Sequence, residues 1–127
     1  MSNTHYERLG GDAGIRRLVD RFYDLMDSDP DYYGIRKLHP ADLSGSRDKL
    51  YWFLSGWTGG PQHYTERVGH PMLRRRHFPY AIGDAERDQW MACMQQALRD
   101  GGCDAALQAE MLAAFQRTAD HMRNQAD

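Results

Sequence analysis

Membrane-length apolar runs, paired cysteines and an excess of either charge are all missing from this 127-residue chain, and each absence removes a class of function. No uninterrupted apolar stretch reaches the roughly 20 residues that a membrane-spanning helix needs. Glu7, Arg8, Asp12, Arg16 and Arg17 break up the first thirty residues, so nothing there forms the apolar centre of a signal peptide. These features predict a soluble, cytoplasmic protein. The formal net charge is -2, with 16 Lys and Arg scattered among 18 Asp and Glu, which leaves no basic field of the kind that nucleic acid requires. Cys93 and Cys103 show neither a Cys-x-x-Cys spacing nor the density of a disulfide scaffold, and are expected as two reduced thiols.

Period-two alternation is also absent, as are internal repeats, low-complexity tracts and candidate linkers. What remains is helical periodicity, which predicts an all-α fold in one domain over residues 1–127. After Gly10-Gly11, Asp12 is a plausible cap, and Ile15, Leu18, Val19, Phe22, Tyr23, Leu25 and Met26 form one stripe of a helix that ends before Pro30. A second helix begins near Ser44, carries Leu50, Phe53, Leu54 and Trp57 on one face, and stops at Gly59-Gly60-Pro61. Residues 61–71 read as an irregular connection. Pro71 suits the first position of a short helix, and Pro79 disturbs it two turns later, so Leu73 and His77 share a face. Asp84 is a candidate cap for a longer helix with Trp90, Met94, Ala97 and Leu98 inward, ending at Gly101-Gly102. The last helix starts near Asp104, with Leu107, Met111, Phe115, Ala119 and Met122 as its stripe and a fraying polar tail after Arg123.

His77 is the residue with the most chemical context. It lies on a short helix broken by proline and follows Arg74, Arg75 and Arg76, cations suited to the carboxylates at a porphyrin edge or, more simply, to a solvated face. A zinc reading competes, because His63, His70 and His77 are spaced by seven residues. Gly69 and Pro71 interrupt any helix that would align them, and no His-Glu-x-x-His pattern supplies tighter spacing.

Several separated segments carry a resemblance: Arg21-Phe22-Tyr23, Trp57-Thr58-Gly59-Gly60-Pro61, Leu73-Arg74-Arg75-Arg76-His77-Phe78-Pro79-Tyr80, and Glu86-Arg87-Asp88-Gln89-Trp90. Together they resemble the group II truncated haemoglobins over nearly the whole chain, from about Tyr6 to Ala119. The resemblance implies a two-over-two helical sandwich around a b-type haem, with iron bound by His77 and with Tyr23 and Trp90 on the distal side. Gly10-Gly11 and Gly59-Gly60 match glycine pairs that make tight turns in these globins. Leu50 and Phe53 match positions lining the distal pocket, and Ser46 matches the site where larger globins place a distal histidine. Lys49, Tyr64 and Arg76 resemble propionate contacts, while Phe22, Leu73, Tyr80 and Met94 complete the implied haem-contacting set. His39 occupies a position that varies among tyrosine, phenylalanine and histidine in this group and sits beside the bound gas. Its plainer reading is a turn residue extended by the following Pro40.

Three functional classes follow from these readings. One is a gas-binding protein that takes dioxygen and related diatomic gases reversibly, for storage, scavenging or transport. The tyrosine hydroxyl and indole N–H would then donate to a gas that gains negative charge on its outer atom. A second is a haem redox enzyme, carrying out nitric oxide dioxygenation or peroxidase-like chemistry with an electron-donating reductase as partner. The third is a haem-free helical interaction module whose Met and Trp stripes are only core. A monomer or a homodimer fits each.

Overall fold

The computed structural model describes residues 4–67, 69 and 83–122, with the side chains of 119–122 apart, and among these every regular element is helical. In chain order they are α1 (His5–Arg8), α2 (Gly11–Ser28), a 3-10 turn (Pro30–Tyr32), α3 (Tyr33–Arg36), α4 (Ser44–Trp57), α5 (His63–Arg67), α6 (Asp84–Asp100) and α7 (Ala105–Met122). The all-α expectation holds. The predicted helix through Leu73 and His77, and the tail after Arg123, lie outside the described residues.

Helix α2 forms the centre because its apolar residues recur at helical spacing over about three turns. All seven predicted inward residues, Ile15 through Met26, are buried. It packs against α6 on one side and α4 on the other, while α7 lies on α6 and α1 bridges α2 to α7. The core therefore runs between α2, α4, α6 and α7, with Leu54, Cys93, Met94, Ala97, Leu98, Leu107, Met111 and Phe115 filling it. Ion pairs tie the helices at the surface: Arg47 of α4 reaches Asp20 and Asp24 of α2, Arg21 reaches Asp100, and Arg8 with His5 reaches Glu110.

Helix ends differ from expectation in instructive ways. Gly10, not Asp12, caps α2, with a left-handed φ of 104°. Asp12 sits in the first turn, where its charge suits the helix dipole, and accepts from the Tyr51 hydroxyl instead of from its own backbone. Gly83, not Asp84, caps α6, and the Glu86 carboxylate accepts from the Gly83 N–H at 3.0 Å. Asp104 does act at the start of α7, accepting from the Leu107 N–H at 2.8 Å. The glycine pair ending α4 is required by contact: Gly59 has φ 101°, and a Cβ on Gly60 would lie 2.3 Å from the Tyr6 ring. The connection expected to be irregular contains α5, a helix of five residues. One turn is too short to show a period.

Helix α4 buries Leu54 as predicted but covers the rest of the predicted face only in part. Tyr51, Leu54 and Ser55 are buried, whereas Leu50, Phe53 and Trp57 are only half-buried. Three large apolar side chains thus share a face that the polypeptide covers incompletely.

Candidate functional site

Tyr23 is carried by the long buried stripe of α2 and is 5% exposed. Its ring meets Phe22 edge-on at 5.1 Å between centroids and His39 edge-on at 5.8 Å. The Arg47 guanidinium stands 5.8 Å from the same ring. Burial raises the Tyr23 phenol well above its ordinary range, outweighing the opposite pull of Arg47 and reinforced by Cys93 nearby. The hydroxyl is therefore protonated, and a donor, throughout the neutral range.

Trp90 comes from the second turn of α6 and is half-buried. It is wedged between Phe22 and Phe115, each with its ring centroid at 5.3 Å. Phe115 in turn stacks on Trp57 at 4.7 Å, Trp57 on Phe53 at 6.2 Å, and Phe53 meets Tyr64 edge-on at 6.2 Å. Eight rings from five helices and one loop form an unbroken line: His39, Tyr23, Phe22, Trp90, Phe115, Trp57, Phe53 and Tyr64. Aromatic pairs at such spacing contribute about 0.5–1.5 kcal/mol each beyond their buried area. The line thus fixes where the tyrosine and tryptophan donors stand.

His39 lies in the turn after α3 and is half-buried. Its Nδ1 is 2.8 Å from the Ile35 carbonyl oxygen. Arg36 secures the turn, donating to the Pro40 and Ala41 carbonyls at 3.0 and 2.9 Å while its Nε donates to Asp27.

The predicted site residues thus divide. Phe22, Tyr23, His39 and Trp90 converge through direct ring contacts. Met94 is fully enclosed one turn after Trp90, Leu50, Phe53 and Ser46 are half-buried on α4, Lys49 is exposed, and Tyr64 is buried on α5. Leu73, Arg76, His77 and Tyr80 lie outside the described residues. Trp57 and Phe115 join the line although their spacing marked them only as core. Arg47 carried no sequence signal, since its contact with Tyr23 depends on how α4 crosses α2. His63, part of the zinc reading, stacks on Tyr51 at 5.8 Å; His70 lies outside the described residues.

The half-buried faces of α4 and α6 give a direct test of fit for a porphyrin. Leu50, Phe53, Trp57 and Trp90 offer apolar and aromatic surface suited to a flat macrocycle, and the donor Tyr23 and the imidazole of His39 gather at one end of it. Such an apolar wall with a few placed polar groups is how proteins hold an aromatic cofactor. The residues fit the group.

Comparison with known proteins agrees. Residues 4–124 match the family of bacterial-like globins. A group II 2-on-2 haemoglobin from Agrobacterium tumefaciens superposes with a TM-score of 0.94 at 50% identity, covering 98% of this chain and 97% of that one. A cold-adapted truncated haemoglobin from Pseudoalteromonas haloplanktis does so at 0.94 and 41% identity, covering 98% and 100%. The fold is thus that of the two-over-two globins. Among curated sequences, the group 2 truncated haemoglobin YjbI of Bacillus subtilis is 36% identical over 125 residues, 98% of this chain and 92% of the relative. The chain belongs to the bacterial-like globins, in their group II truncated haemoglobin branch. Membership of that family implies a haem cofactor and the binding of diatomic gases. Among the described residues no helix is long and apolar enough to cross a membrane.

Proposed function

We propose that residues 1–127 form one globin domain that holds a b-type haem through His77 and binds dioxygen and related diatomic gases reversibly, with Tyr23 and Trp90 as the distal hydrogen-bond donors. The observation that carries this reading is the seating of both donors in one aromatic line, beside half-buried apolar faces that suit a porphyrin. A solved relative in Bacillus subtilis, 36% identical with a TM-score of 0.87, is described as an oxygen-avid truncated haemoglobin, which supports dioxygen as the ligand.

The haem iron supplies the reversible bond to a diatomic gas. The polypeptide does the rest. Leu50, Phe53 and Trp57 exclude water from the macrocycle, and Lys49, Tyr64 and Arg76 serve its propionates. Tyr23 and Trp90 donate toward a ligand whose outer atom is negatively polarised. A hydrogen bond to a charged acceptor is worth roughly 1.5–3 kcal/mol, so each donor slows oxygen loss about tenfold or more. Carbon monoxide, almost uncharged at its outer atom, gains less. Cys93 and Cys103 are free thiols, which fits a cytoplasmic location; an electron-donating reductase is the proposed partner.

Stopped-flow oxygen dissociation from Tyr23→Phe and Trp90→Phe tests the donor roles. The expected result is acceleration in both; unchanged rates in both would defeat the proposal. His77→Gly is expected to abolish the histidine-ligated ferrous spectrum.

A further inference from the structure

The turn that carries His39 is held from across the molecule. Its Nδ1 lies 2.8 Å from the Ile35 carbonyl, and a carbonyl can only accept, so Nδ1 must carry the proton. In the neutral ring Nε2 then keeps its lone pair. Ile35 is itself anchored: its backbone N–H donates to the Gln89 Oε1 at 3.1 Å, a bond reaching from α3 to α6 over 54 positions of sequence. The direction of this bond also settles the glutamine amide, because the N–H needs an acceptor.

Two further features show that the contact is built. Helix α3 has only four residues, too few for its own ladder to hold it, so external bonds decide where it sits. And Gly34 makes room for the glutamine: a Cβ at that position would stand 2.5 Å from Gln89 Nε2 and 2.6 Å from Oε1. Ile35 is 3% exposed, and this one buried residue carries both the N–H that Gln89 holds and the carbonyl that faces His39. Gln89 also immediately precedes Trp90, and one turn of α6 thereby sets both the indole and the support of the imidazole.

We propose that Gln89 is a positioning residue that fixes His39 as the Nδ1–H tautomer, making its Nε2 a hydrogen-bond acceptor rather than a third donor beside the bound gas. The consequence for gas binding rests on the globin reading; the tautomer does not. The pocket then contains two donors from different helices and one acceptor, and the acceptor discriminates against ligands that need a third donor.

Nuclear magnetic resonance of 15N-histidine-labelled holoprotein in its diamagnetic carbon monoxide form tests this, with the His39 signals assigned by their loss in His39→Phe. The expected spectrum shows a protonated Nδ1 and an unprotonated Nε2. Gln89→Leu is expected to bring in the Nε2–H form and to change oxygen dissociation about fivefold, the worth of one neutral hydrogen bond, in the same direction as His39→Phe. Gln89→Glu keeps the acceptor and should restore the Nδ1–H form. Should Gln89→Leu fail to fold, Gly34→Ala displaces the same amide and should shift the tautomer alike. An Nε2–H tautomer in the unaltered protein would overturn the proposal, as would a tautomer and a rate indifferent to Gln89→Leu. Failure of the protein to take up haem would count against the globin function alone, since the same ring signals decide the tautomer in the protein as purified.

Discussion

Helices α2 and α4 each carry a run of large apolar or aromatic residues, yet they dispose of them differently. On α2 every residue of the apolar stripe is buried by other parts of the polypeptide. On α4 only Tyr51 and Leu54 among the large residues are, while Leu50, Trp52, Phe53 and Trp57 stay half-buried. Helix α2 is finished by protein packing alone. Helix α4 keeps more of its apolar surface exposed, and Phe53 and Trp57 of that surface belong to the aromatic line running from His39 to Tyr64. One helix holds the fold together, and the other carries the apolar surface proposed to meet the cofactor.

Two leucines on α4 sharpen this contrast most. Leu54 is 1% exposed and Leu50 half-buried, with identical side chains four residues apart. Leu54→Ala is expected to cost about 2–5 kcal/mol in urea unfolding, through lost burial and a residual cavity. Leu50→Ala should cost about 1 kcal/mol by the same measurement, since less of its area leaves water on folding. Its larger effect is expected as faster haem loss to an acceptor globin. Equal unfolding costs would erase the distinction between the two faces.

Tyr23 belongs to both regions, since its ring is core and its hydroxyl is the proposed distal donor. Tyr23→Phe keeps the ring contacts to Phe22 and His39. It should therefore accelerate oxygen dissociation about tenfold while moving the unfolding midpoint little. A large loss of stability without a kinetic change would make Tyr23 a packing residue only.

A pH test reads the closed region alone. Burial pushes the Cys93 thiol from its ordinary 9.0 up to about 12, and Cys93 also donates to the Phe22 carbonyl at 3.2 Å. A group whose folded-state pKa is raised stabilises fully below its unfolded pKa and loses that contribution as pH climbs toward the folded value. Unfolding midpoints should therefore fall between pH 9.0 and about 12, where the raised phenol of Tyr23 acts in the same direction. Cys93→Ala should make the fall shallower; an identical slope would contradict the burial account. The smallest effect is expected at the surface, where Arg47→Gln, breaking pairs to Asp20 and Asp24, should cost no more than about 1 kcal/mol.

What was readable in the sequence follows the same division. The stripe of α2 repeats over about three turns, so its burial is legible residue by residue. Asp12 and Asp84 were misread as caps because an aspartate at a helix start serves equally well in the first turn, and the neighbours that decide, Tyr51 and Glu86, lie elsewhere in the sequence or one turn on. The extent of burial on α4 is not legible, because periodicity places Leu54 inward but assumes that Leu50, Phe53 and Trp57 are covered equally. The convergence of Tyr23, His39 and Trp90 could not be read from spacing at all, since they lie on separate elements far apart in the sequence; it came through the family resemblance. Gln89 went unnoticed because its role depends on a backbone approach permitted by Gly34, which no side-chain pattern signals.

The most direct test of the central claim is a titration of the purified protein with haem, followed by absorption spectra of the ferric, dithionite-reduced and oxygen-exposed forms. The account predicts stoichiometric uptake, with a strong Soret band and a five-coordinate ferrous spectrum that converts to a stable oxygenated one. A colourless protein that takes up no haem would contradict it and return the chain to a helical module whose aromatic line is only core.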